Sequence, residues 1–178
     1  MRGFLVMQIY TLGHSTRTIE QLVSILEKYE IQALVDIRTV PRSRKNPQFN
    51  KDSLSTYLKQ RGIDYSHMKS LGGLRHPSKD SKNLGWANES FRGYADHMQT
   101  EEFEHGIRDL LELASKACVA IMCAEALPWR CHRRMVGDAL VVRGVEVTDI
   151  LSENRAQNHE LTEWAKVEGI LVTYPKQI

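Results

Sequence analysis

The chain has 178 residues, 42% of them apolar and 26% charged, with 11 Gly and 5 Pro. That composition suits one globular core and excludes the disordered, collagenous and coiled-coil classes. Lys and Arg number 24 against 22 Asp and Glu, a formal charge of +2, so any attraction for nucleic acid must come from local clustering of charge.

Met7 to Leu12 (MQIYTL) is rich in aromatic and apolar residues and breaks at Gly13, the pattern of a strand entering a turn. Thr18 and Gln21 form a capping-box pair, and Ile19, Leu22, Val23 and Leu26 follow at helical spacing. Ala33 to Ile37 (ALVDI) is too short for a helix and continuous enough for a buried parallel strand, which completes a βαβ unit. Arg38 to Lys51 holds two prolines, five cations and no acid, a basic loop. Leu54, Tyr57 and Leu58 mark a short helix ended by Gly62, and Ile63 to Met68 reads as a further strand. Lys69 to Ser90 is a long polar segment, expected to serve as a lid or binding loop.

Phe91, Tyr94, Ala95 and Met98 recur at helical spacing, and Thr100 caps a second helix with a stripe of Phe103, Ile107, Leu110, Leu111 and Ala114. Cys118 to Cys123 (CVAIMC) is the most apolar strand candidate. Met135, Val136, Ala139 and Leu140 mark the next helix, closed by Gly144. Val145 to Ile150 and Ile170 to Tyr174 supply late strands, with a helix expected between them around Leu161, Trp164 and Ala165. The alternation predicts a single α/β domain over residues 1–178, with a mainly parallel sheet flanked by helices.

Ligands of open parallel sheets bind beyond the carboxyl ends of the strands, where loops and helix amino termini gather. Gly13, His14 and Ser15 follow the first strand, Asp36 and Arg38 end the second, and Cys123 to Arg134 (CAEALPWRCHRR) follows the central one. The last block carries two thiols, a carboxylate, an imidazole and several guanidiniums. Cys131, at a helix amino terminus among arginines, is expected to have a lowered pKa. The same amides with Arg130, Arg133 or Arg134 could instead hold a phosphate, sulfate or carboxylate.

Cys118 reads as strand filler, and Cys123 is open to the same reading. The odd count of three cysteines points to a reducing compartment. The run Phe4 to Met7 is far below a secretory h-region, and no stretch approaches the roughly 20 apolar residues of a membrane span, so a cytoplasmic protein without a membrane partner is expected. Cys123, Cys131, His132 and His14 match none of the usual CxxC zinc patterns, so no metal site is assigned, and no cofactor motif is present.

The segments YTLGHS (10–15), LVDIRTVPRSRKNPQF (34–49), LGGLR (71–75), FRGYADHM (91–98) and CAEALPWRCHRR (123–134) resemble the domain of unknown function 488 family of small prokaryotic proteins. The resemblance runs from about residue 9 to residue 150. It implies a small prokaryotic α/β domain whose motif positions are Gly13, His14, Ser15, Asp36, Arg38, Pro41, Arg75, Cys123, Glu125, Cys131, His132 and Arg133. A looser likeness to rhodanese-like domains and cysteine-dependent phosphatases meets a departure. Six residues separate Cys123 from Arg130, and they include Pro128 and no Gly.

These residues lead to an expected small enzyme. Cys123 or Cys131 would be nucleophile or redox thiol, Glu125 and His132 would handle protons, and Arg38, Arg75, Arg130 and Arg133 would hold an anionic group near His14, Ser15 and Asp36. A variant uses Asp36 and Glu125 as an acid and base pair without a thiol step. The other class is a binding module for nucleic acid or a nucleotide-bearing partner, using the cations of the Arg38 to Lys51 loop with Lys69, Arg75, Lys79, Lys82 and Trp86.

Overall fold

The computed structural model describes residues 6–178, so Phe4 and Leu5 of the short amino-terminal run lie outside the described residues. β1 (Gln8–Gly13), α1 (Ile19–Lys28) and β2 (Ala33–Asp36) form the expected βαβ unit. The Thr18 hydroxyl accepts the Gln21 amide and the Gln21 side chain accepts the Thr18 amide, so the capping box closes in both directions. Next come α2 (Lys51–Gln60), β3 (Asp64–His67), α3 (Glu89–His97), α4 (Glu101–Ala114), β4 (Val119–Cys123), α5 (Arg133–Val141) and β5 (Glu146–Ser152). Thr100 caps α4 as its position predicts.

The six-stranded sheet has the order β3-β2-β4-β1-β5-β6, with every pair parallel except the last, where β6 (Arg155–Asn158) runs antiparallel to β5. Alternate residues of each strand feed opposite faces. Leu34, Ala120 and Met122 pack with Leu22, Leu26, Leu54 and Leu58 of α1 and α2. Val35, Ile121 and Cys123 pack with Tyr94, Phe103, Ile107, Met135 and Val136 of α3, α4 and α5. Helices therefore cover both faces, as an α/β domain with a mainly parallel sheet requires.

This winding positions the candidate site. β1 and β4 are neighbours, yet the chain leaves β1 for α1 on one face and β4 for α5 on the other. Their loops diverge and open a crevice at the carboxyl edge, the usual ligand position in open sheets. Gly13 pairs with Cys123 at that edge, and the His14 amide continues the ladder to the Cys123 carbonyl at 3.0 Å.

The carboxyl-terminal part departs from expectation. The spacing of Leu161, Trp164 and Ala165 predicts a helix, but residues 159–165 contain none. The Thr162 amide is instead taken by the Asp138 carboxylate at 3.1 Å, and Trp164 stacks edge-on against Trp86 at 5.0 Å. The late apolar run makes only the short β8 (Leu171–Thr173). It pairs antiparallel with β7 (Lys166–Glu168) around Gly169 at φ +64° and does not join the main sheet. The polar segment after β3 is tied down rather than free. Leu71, Asn83 and Trp86 are buried, and Asn83 bonds both Asp96 and the Tyr174 amide.

Candidate active site

A cavity of about 510 Å³ opens in the crevice, and His14, Arg38, Cys123, Glu125, Arg130, Cys131 and His132 all line it. Segments more than a hundred residues apart thus meet in one place. Four residues assigned to the site from sequence do not line the cavity. Asp36 lies beneath it, fully buried, bonded to Arg38 Nε and Nη2 at 2.9 and 2.6 Å and accepting the Tyr65 hydroxyl at 2.6 Å. An acid and base pair of Asp36 with Glu125 is therefore corrected: both Asp36 oxygens are committed to Arg38 and Tyr65. Arg75 turns outward to Glu102 at 3.2 Å. Ser15 takes φ +48°, a left-handed turn that costs a non-glycine residue roughly 1 kcal/mol; its backbone serves the fold, the amide bonding Ala124 and the carbonyl accepting from His14. Arg133 is buried behind the cavity wall.

Arg133 organises the thiols. Its Nη1 donates to Cys123 Sγ at 2.6 Å and to the Glu125 carbonyl at 2.8 Å, and its Nη2 donates to the Ala126 carbonyl at 3.2 Å. The loop leaving β4 is thus clamped onto α5. It also crosses Gly13 so closely that a Cβ there would lie 1.8 Å from the Glu125 carbonyl oxygen, so only glycine fits.

The Cys123 and Cys131 sulfurs are 2.6 Å apart. Two thiolates at that distance cannot coexist, so one sulfur keeps its proton. Burial opposes ionisation of Cys123, but the hydrogen bond from Cys131 and the charge of Arg133 together bring its pKa down to about 7. Cys131 is pushed well above the usual thiol range, first by that same bond to Cys123 and then by burial. The expectation of a lowered pKa at Cys131 is corrected accordingly: the α5 amide of Arg133 does reach Cys131 Sγ at 3.4 Å, but the guanidinium reaches back to Cys123.

Burial disfavours the charged form of both cavity histidines. His132 donates Nε2–H to the Ile37 carbonyl at 3.0 Å, which leaves Nδ1 as an acceptor 3.5 Å from Cys131 Sγ. His14 donates Nδ1–H to the Ser15 carbonyl at 2.9 Å, accepts from Arg38 Nη1 at 3.3 Å on Nε2, and stacks on Phe49. Burial lowers each to about 4. With both nitrogens engaged, His14 is a wall rather than a base.

Sequence reasoning missed the apolar side of the cavity, formed by Val40, Leu74, Phe91 and Tyr94, with Arg42, Ser43 and Ser90 nearby. Several of these sit in the segments VPRSR, LGGLR and FRGYADHM, so a motif position without reactive chemistry was the available signal. Val40 and Leu74 are 59% and 76% exposed, making an apolar lip at the mouth. Trp86 is corrected in the other direction: it is buried against Phe91, Trp164 and Tyr174 and has no face left to stack a base. Among the described residues no three His, Cys, Asp or Glu side chains are grouped to hold a metal ion, and no helix is long and apolar enough to cross a membrane.

No curated protein and no solved structure matches this chain. A family model, described as the domain of unknown function DUF488, matches residues 18–140 and so takes in Asp36, Arg38, Cys123, Cys131 and Arg133. With well over half its length matched, the chain belongs to the DUF488 family.

Proposed function

We propose that this protein is a small thiol-dependent hydrolase or transferase with Cys123 as its nucleophile. The observation that carries the reading is Cys123 Sγ at the wall of a 510 Å³ cavity, held between the Arg133 guanidinium and the Cys131 thiol, each at 2.6 Å. A thiolate is the reactive form of cysteine, and the Arg133 guanidinium with the Cys131 hydrogen bond favours that form at Cys123.

In the reaction the Cys123 sulfur attacks an electrophilic carbon of the ligand, and the leaving group departs with its electron pair and takes a proton. Cys131, hydrogen-bonded to the reacting sulfur, supplies that proton and takes one back from the water or acceptor of the second step. Water or a second acceptor then attacks the sulfur-bound carbon and releases Cys123. Arg42 and Arg130 line the same cavity and have no carboxylate within ion-pair distance among the described residues. They suit an anionic end of the ligand, while Val40, Leu74 and Phe91 suit an apolar part. A reducing, cytoplasmic setting would keep both thiols available.

Activated acyl esters such as p-nitrophenyl acetate test the reading. A burst of chromophore with one acetyl group on Cys123 is the expected result, lost in Cys123→Ser. Acetylation confined to other residues, at an undiminished rate in that variant, would overturn it. The alternative of a nucleic-acid-binding module loses its stacking partner, since Trp86 is buried, and rests on exposed cations such as Arg42, Arg44, Lys45, Lys51, Lys69, Lys79 and Lys82; it requires affinity that weakens steeply as salt rises.

A further inference from the structure

Behind the thiols runs a chain of hydrogen bonds whose last members do not line the cavity. Arg133 Nε donates to Thr11 Oγ1 at 3.3 Å, and the Thr11 hydroxyl donates to Asp149 Oδ1 at 2.6 Å. Asp149 Oδ2 accepts from His159 Nδ1 at 2.9 Å, and His159 Nε2 bonds Asp138 Oδ1 at 3.0 Å. Asp138 is fixed in turn by the Tyr174 hydroxyl at 2.7 Å and the Thr162 amide. Acidic and basic side chains alternate along the chain, with Asp138, His159 and Asp149 in succession and Arg133 then facing the Cys123 sulfur. Thr11, Asp138 and Asp149 are buried, and the His159 side chain is only 3% exposed. Gly137 makes room for it: a Cβ at that position would lie 2.6 Å from the His159 ring.

Buried groups of this kind cost folding energy unless each has a partner, and a chain of partners fixes the geometry of its last member. Asp149 and His159 lie outside the residues matched by the family model, as does Thr11. Among the described residues their hydrogen bonds reach the thiol through Arg133.

We infer that Thr11, Asp149 and His159 are positioning residues for the Cys123 thiolate, holding the Arg133 guanidinium in line with the sulfur from behind. The inference rests on the proposed role of Cys123. The groups facing Cys123 are Arg133 on α5 and Cys131 on the preceding loop, with the Tyr94 hydroxyl of α3 further off. Those facing Arg133 are Cys123, Cys131, Asp149 on β5, His132 at the start of α5, and Arg17 before α1. Asp138 and Asp149 face His159 from α5 and β5. Asp149 is the carboxylate whose charge bears most on Arg133, opposed by Arg17. Losing its link frees the guanidinium to follow the Glu125 and Ala126 carbonyls alone.

The test is the pH profile of iodoacetamide alkylation at Cys123, mapped by mass spectrometry in the full chain. Wild type is expected to have its half-point near pH 7. In Thr11→Val, which keeps the shape and removes the hydroxyl, the half-point rises by about one unit and the rate at pH 7 falls roughly fivefold. Thr11→Ser, which restores the hydroxyl, returns it to the wild-type value. Should Thr11→Val fail to fold, Asp149→Asn carries the same expected rise. Unchanged half-points in the substituted proteins, with wild type still near pH 7, overturn the positioning role while leaving Cys123 as nucleophile. A wild-type half-point near pH 9 overturns the Cys123 reading itself, and the inference with it.

Discussion

His159→Gln is the substitution whose consequence can be worked furthest from the structure. His159 sits between two carboxylates; burial disfavours its charged form, but the hydrogen bonds and charges of Asp138 and Asp149 prevail and raise its pKa from 6.5 to about 9. A group whose folded pKa is raised binds its proton more tightly in the folded protein. Its stabilisation is complete below pH 6.5, declines as pH rises, and is gone above about pH 9. The interval corresponds to roughly 3 kcal/mol, at about 1.4 kcal/mol for each tenfold change in proton affinity. Urea titrations of wild type and His159→Gln at a series of pH values should therefore differ by about 3 kcal/mol near pH 6 and converge towards pH 9.5. A stability gap that stays constant across that range would refute the reasoning, since it would mean that packing rather than charge is what His159 supplies.

The acid side should have the opposite slope: His14 and His132 are buried neutral with pKa lowered to about 4, so stability falls as pH drops from 6.5 to 4. The His14 share is about 3 kcal/mol, and urea midpoints in that window check it. Arg133→Met strands the Glu125 and Ala126 carbonyls and removes the countercharge of Asp149, and should lower stability by roughly 3 kcal/mol or more. The same protein should lose alkylation of Cys123 at pH 7, which a thiol titration would reveal. Hydrogen peroxide should convert Cys123 to its sulfenic acid, releasing hydroxide, after which the Cys131 thiol condenses with it to a disulfide and water. Intact mass should show the loss of two hydrogens in wild type and a sulfenic acid adduct in Cys131→Ser; identical products in both would contradict the pairing.

Much of the framework was legible because local rules and burial agree. Thr18 with Gln21 marks the start of α1, CVAIMC is buried along all of β4, and Gly144, at φ +79°, follows α5 as a left-handed stop. Ligands of open parallel sheets bind beyond the carboxyl ends of the strands, so His14, Arg38, Cys123, Cys131 and His132 could be gathered without coordinates from their places just after predicted strands. What escaped depends on contacts between distant segments. Leu161, Trp164 and Ala165 have helical spacing, but the Asp138 carboxylate captures Thr162 and Trp86 captures Trp164, so tertiary partners override the periodicity. RAQN gives no strand signal, and all four residues of β6 are exposed at the sheet edge, held by the ladder to β5 alone. The ionising thiol was assigned to Cys131 because helix position is visible in sequence, whereas the reach of Arg133 back to Cys123 is not. Nothing in the spacing of Thr11, Asp149 and His159 announces that they share one buried chain with it.

The pH dependence of alkylation at each of the three cysteines, resolved by peptide mapping, bears most directly on the account. It predicts that Cys123 reacts first, with a half-point near pH 7 that moves towards the usual thiol value when Arg133 is replaced. Preferential labelling of Cys131 or Cys118 at neutral pH, or a Cys123 half-point near pH 9 that is indifferent to Arg133, would contradict it.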